Sequence, residues 1–114
     1  MKNTNKKTTK AKAEIHDVTT PLLTAMFEEF KELSKKKPDG AVSKSKIKIV
    51  NRLLDKCREV LKDEISINYL DLLDEDEVPQ NSDVVLMLSQ YVAAMHQFHT
   101  AYFGWNGTDH TWFV

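Results

Sequence analysis

Val84, Leu88, Tyr91, Met95, Phe98 and Tyr102 follow one another at steps of 4, 3, 4, 3 and 4 residues, an apolar heptad seam held for nearly three heptads. Between Asp83 and Gly104 the only ionisable side chains besides Tyr91 and Tyr102 are His96 and His99, and Val85, Leu86, Met87, Val92, Ala93, Ala94 and Ala101 widen the apolar surface well past the seam. A helix that is apolar nearly all round has to be covered on more than one side. It therefore either threads the centre of a bundle or meets another chain. Asn81 or Ser82 is the expected cap, Asp83 suits the positive end of the helix dipole, and Gly104 is the expected stop.

Two further helices supply the cover. Thr19 or Thr20 followed by Pro21 reads as a helix start, and Leu22, Leu23, Met26, Phe27, Phe30 and Leu33 form one broad apolar stripe. Lys35, Lys36 and Lys37 favour its C-terminal end, before the turn Pro38-Asp39-Gly40. Ser43 or Ser45 opens a second helix running to about Asp63, with Ile47, Ile49, Val50, Leu53, Leu54, Cys57, Val60 and Leu61 in a sector of roughly 160°. Its other side carries Lys44, Lys48, Arg52, Lys56, Arg58 and Lys62, and the spacing suggests surface pairs Asp55–Arg58 and Glu59–Lys62. A short helix is expected between Ile65 and Leu73, then an acidic loop of Asp74 to Glu77 leading to Pro79.

The expected fold class is all-α, a small helical bundle of three long helices plus one short helix over residues 18–104. Residues 1–17, rich in Lys, Thr and Asn, are expected to be a disordered basic tail. Residues 105–114 are expected to form an aromatic C-terminal flap turned at Asn106-Gly107, or else a docking tail. A chain of 114 residues suffices for one such domain.

Charge is sharply segregated along the chain. All 16 Lys and Arg lie at or before Lys62, so residues 1–62 carry +8, whereas residues 63–114 hold nine acids and neither Lys nor Arg. The halves either neutralise each other, or one of them meets an oppositely charged partner. The single Cys57 excludes an internal disulfide, no apolar run is long enough to span a membrane, and the N-terminus lacks a secretory apolar core; the expected location is cytoplasmic.

Chemical motifs are weak. The three Gly are isolated, so no phosphate-cradling loop is present, and the acidic stretch lacks the Gly and ligand order of a calcium loop. His96 and His99, joined by Asp109 and His110 through the turn, would make a possible but unspecific metal set, and neither metal nor cofactor is expected. Cys57 sits on an apolar face, where a thiol is inert. The expected function is a non-enzymatic protein–protein interaction module, an adaptor, inhibitor or regulatory subunit. It is expected to self-associate, as a dimer, through Val84, Leu88, Tyr91, Met95, Phe98 and Tyr102. The alternative is nucleic-acid binding through Lys35, Lys36, Lys37, Lys44, Lys48, Arg52 and Lys56, helped by the Lys of the N-terminal tail.

Overall fold

The structure, a computed structural model, describes residues 6–114. Three helices pack together: α1 (Lys10–Lys36), α2 (Lys44–Leu61) and α3 (Asn81–Tyr102). Two short 3-10 turns, Ile65–Tyr69 and Glu75–Glu77, connect α2 to α3, and a hairpin of β1 (Phe103–Trp105) and β2 (His110–Trp112) closes the chain. The mostly helical bundle is the expected one, and among the described residues no helix is long and apolar enough to cross a membrane. Extents of 53 × 23 × 21 Å make it an elongated body.

The first helix begins earlier than its sequence suggests. Of the basic tail expected over residues 1–17, residues 1–5 lie outside the described residues, but Lys10–Asp17 is helical. Thr9 caps it by accepting from the Lys12 amide at 3.1 Å. The added turns are held by burial of Ala13 and by His16, which meets the Met95 carbonyl of α3, and Lys12 pairs with Asp63 at 2.6 Å. Pro21 thus lies inside α1 rather than at its start. Its missing donor is tolerated because packing holds the helix on both sides, with Thr19 and Leu23 buried around it.

The turn between α1 and α2 also starts α3. The amides of Asn81 and Ser82, which have no acceptor within their own helix, donate to the carbonyls of Gly40 (2.9 Å) and Pro38 (3.0 Å). Asn81 Nδ2 donates to the Lys37 carbonyl at 2.9 Å, and the Asp83 carboxylate accepts from the Gln80 amide at 2.8 Å. A Cβ at Gly40 would stand 2.9 Å from Asn81 Nδ2, so a larger residue would displace the Asn81 amide from the Lys37 carbonyl. Just before this junction, Val78 has φ of 49°, a left-handed conformation disfavoured for a β-branched residue.

The seam of α3 is the centre of the core. Val84, Leu88 and Tyr91 are completely buried, Met95 and Phe98 almost so, and Tyr102 is 9% exposed. They pack in one cluster with Leu23 and Phe30 of α1, with Val50, Leu54, Cys57, Val60 and Leu61 of α2, and with Leu70 and Leu73 of the connection. Tyr91 Oη donates to the Asp71 carbonyl at 2.8 Å, and Arg58 donates to the Leu70 carbonyl, so α3, α2 and the connection are also joined by hydrogen bonds. The short helix expected after α2 is a 3-10 turn, Ile65–Tyr69, without a side-chain cap. The connection is anchored instead by Asn51, whose amide exchanges two 2.9 Å hydrogen bonds with the backbone of Leu73.

The aromatic tail folds back, as its turn dipeptide suggests. Phe103 pairs with Trp112, Gly104 with Thr111 and Trp105 with His110, and Asn106 Oδ1 accepts from the amides of Thr108 and Asp109. Gly107 adopts φ of 102°, which the turn needs. Gly104 lies within β1, not at a helical stop; α3 ends at Tyr102 because Phe103 turns extended to pair with Trp112.

Candidate functional site

The six seam residues proposed from sequence as a partner surface are spent inside the single chain. With exposures from 0 to 9%, Val84, Leu88, Tyr91, Met95, Phe98 and Tyr102 present no surface to another molecule while the domain is folded. The physical reason is that α1 and α2 both pack on α3, and the hairpin covers its last turn. A heptad seam has the same spacing whether its cover comes from its own chain or from another.

The open apolar surface lies elsewhere. A groove of about 1000 Å³ runs between α1 and α2. On α1 its floor is a ridge at Ile15, Val18, Leu22, Met26 and Leu33, a spacing that keeps one helical face; on α2 it is Ile49, Val50 and Leu53. Val18, Leu22 and Ile49 are 65, 55 and 49% exposed. Leu23 and Phe30 point from the same broad α1 stripe into the core, so the stripe is wider than α3 alone covers. Only Leu22, Met26 and Leu33 belong to the stripe noted in the sequence; Ile15 and Val18 fall in or beside the stretch expected to be tail.

The rims of the groove differ in charge. Glu14 and Glu29 stand on the α1 side, Lys46, Arg52 and Lys56 on the α2 side. Glu29 occupies a position in the α1 ridge that is otherwise apolar. Among the described residues Glu14, Glu29, Lys46 and Arg52 belong to no ion pair, while Lys56 pairs with Glu59 at 3.3 Å.

The other basic residues singled out from sequence are on the surface. Lys35, Lys36, Lys37, Lys44 and Lys48 are all exposed, Lys35 beside Glu32 at 3.3 Å. Arg58 forms no pair with Asp55, because its guanidinium turns inward to Leu70 and Tyr91; Glu59 pairs with Lys56 and not with Lys62. Among the described residues one ion pair, Lys12–Asp63, joins the basic to the acidic half, and it holds the exposed Asp63 carboxyl below its ordinary range.

A second, smaller concavity contains His16, Thr20, Met95, His96 and His99. His16 Nε2 lies 2.8 Å from the Met95 carbonyl and Nδ1 lies 3.2 Å from Thr20 Oγ1, an arrangement in which a neutral imidazole donates to the first and accepts from the second. Its ring stacks on Phe98 and His99 and meets the edge of Trp112, whose indole donates to the Asp17 carboxylate at 3.2 Å. His110 lies against Trp105 in the hairpin, and among the described residues no three His, Cys, Asp or Glu side chains converge as metal ligands would. Cys57 is buried in the core, where loss of solvent pushes its thiol up to about 11.

Burial lowers the pKa of His16 below the ordinary 6.5; the Met95 carbonyl opposes this, the neighbouring His99 adds to it, and Asp17 opposes it. The unfolded chain therefore takes up this proton first. Stability from His16 is complete above pH 6.5 and is lost as pH falls from there toward the folded-state value. Urea midpoints are expected to drop between about pH 7.5 and about pH 5.5, and less so in His16→Phe, which keeps the stack without the titration. An imidazole titration of His16 at or above 6.5 would contradict this.

Set against known proteins, the chain matches no family model, no curated protein and no solved structure.

Proposed function

We propose that this chain is a non-enzymatic protein-interaction module, of the adaptor, inhibitor or regulatory-subunit kind, and that it receives its partner in the groove between α1 and α2. The observation that carries the reading is the concentration of exposed Val18, Leu22 and Ile49 in one continuous apolar groove. Contiguous apolar surface with a polar rim is the usual anatomy of an interface, whereas single exposed apolar side chains are not. An apolar face made by two neighbouring helices suits the apolar faces of partner helices packed against it. The role of Cys57 and His16 as packed, hydrogen-bonded core residues fits a structural and not a chemical use of the reactive side chains.

The test is Leu22→Asp combined with Ile49→Asp. Both side chains are about half exposed, so helicity is expected to be retained and the unfolding free energy to stay within about 1 kcal/mol of the parent while association is abolished. A folded double variant that associates as the parent does would remove the groove from consideration.

A second reading is favoured by one observation. Lys44, Lys48, Arg52 and Lys56 follow at steps of four along α2, all exposed, and the first three are in no ion pair among the described residues. Such a ridge beside Lys36 and Lys37 suits a phosphate backbone. It requires binding to duplex DNA that weakens with salt at a log–log slope of about 0.9 per phosphate contacted. Absence of binding at low salt would dismiss it.

A further inference from the structure

Resting on the groove being the interaction surface, we infer that its occupant is a second copy of this chain, related by a twofold axis parallel to α1 and α2, so that α1 of each copy lies over α2 of the other. The inference comes from the pattern of charge on a face whose apolar centre needs covering.

α1 and α2 are antiparallel, joined by a short turn at one end and by the Lys12–Asp63 pair at the other. Counting along the helices from either end places Glu29 level with the segment between Lys46 and Arg52. A twofold axis parallel to the helices preserves level and exchanges α1 for α2. Glu29 of the second copy then falls between Lys46 and Arg52, and the same contact repeats on the other side of the axis. Glu14 falls level with Leu61, about 7 Å along the axis beyond Lys56, and takes no part in the pairing. Glu29, Lys46 and Arg52, which form no ion pair within one chain, thereby find opposite charges, and Glu29, the one carboxylate in the apolar ridge, is not buried alone.

The other face-to-face twofold, with its axis across the helices, lays α1 on α1 and α2 on α2. It would bring the acidic rims together and the basic rims together, so charge selects the first arrangement. Size agrees with a dimer of modest affinity. The ridge from Glu14 to Leu33 is about 29 Å long and two packed helices are about 20 Å wide, so each copy contributes about 600 Å², near the lower limit for a stable interface.

The experiment is sedimentation equilibrium of the full chain from about 1 to about 300 µM, with native mass spectrometry of mixtures. The expected result is a micromolar monomer–dimer equilibrium. Glu29→Lys alone, and Lys46→Glu with Arg52→Glu, are each expected to weaken it at least about tenfold, while an equimolar mixture of the two variants forms a heterodimer of parental affinity. These substitutions lie at exposed positions, and circular dichroism verifies that the fold is retained.

A parent that stays monomeric over this range overturns the inference, as does a dimer indifferent to both charge changes or a mixture that shows no recovery. Leu22→Asp with Ile49→Asp separates the two levels of the claim. If the parent is monomeric but binds an apolar fluorescent dye with one-to-one stoichiometry that the double variant loses, the second copy is wrong and the groove stands. If a dimer persists in the double variant, both are wrong.

Discussion

Replacing Tyr91 and Met95 together by Asp is expected to unfold the domain at every protein concentration. Both side chains are within 1% of complete burial, and two carboxylates introduced there would replace apolar contacts by desolvated charge, the nearby Arg58 guanidinium being already bonded to the Leu70 carbonyl. The cost is several kcal/mol per site, against a total stability of about 5–15 kcal/mol for a domain of this kind. The Tyr91 hydroxyl would also be lost from the Asp71 carbonyl. Far-ultraviolet circular dichroism and the near-ultraviolet aromatic signal report the loss together. Tyr91→Phe keeps the ring and is expected to cost only about 1–2 kcal/mol. A double variant that stayed helical and lost only association would mean that the seam faces another molecule.

Asn51→Leu is expected to cost about 2–4 kcal/mol, a large effect for one partly buried side chain. The Asn51 amide is both donor and acceptor to Leu73, at 2.9 Å each, and Leu73 is only 8% exposed, so its amide and carbonyl would lose their partners away from water. Asn51→Asp tests the same contact by electrostatics. It keeps the acceptor for the Leu73 amide but sets a second oxygen against the Leu73 carbonyl where Nδ2 now donates. Urea midpoints measure both, and hydrogen exchange is expected to rise first between Glu64 and Pro79. A cost below about 0.5 kcal/mol for Asn51→Leu would show that Leu70 and Leu73 packing and the Arg58 and Tyr91 hydrogen bonds hold the connection without Asn51.

The helices were legible because each carries an apolar period of its own. α2 runs over nearly the residues that its 160° sector implies, and its buried side chains are those of that sector, with Ile49 left at the exposed edge. The hairpin was legible in Asn106-Gly107 and in the aromatic residues on either side. Lys10–Asp17 was not, because its buried side chains are only the small Ala13 and the polar His16. His16 and Thr19 satisfy their polar atoms on the Met95 and Ile15 carbonyls, and a pattern of Ala, His and Thr reads as unstructured until those acceptors are known. Asn51 left no signal either, since one Asn on a basic helix face looks like any other surface residue.

The candidate site was legible only in pieces. Leu22 and Ile49 stood in their apolar stripes without any mark separating them from Leu23 or Val50, which the core buries. Their exposure depends on where neighbouring helices lie, which no single stripe encodes.

Apart from the first turns of α1 and the connection after α2, the sequence alone settled which segments are helical, which side of each is apolar, and that positive charge ends at Lys62. Those follow from spacing along one chain, through the rotation per residue of a helix. Only the tertiary structure decided what covers each apolar side. The seam of α3 went inward because α1, α2 and the hairpin close around it, and the α1–α2 groove stayed open because a third helix packed on one side of a helix pair leaves the opposite side facing solvent.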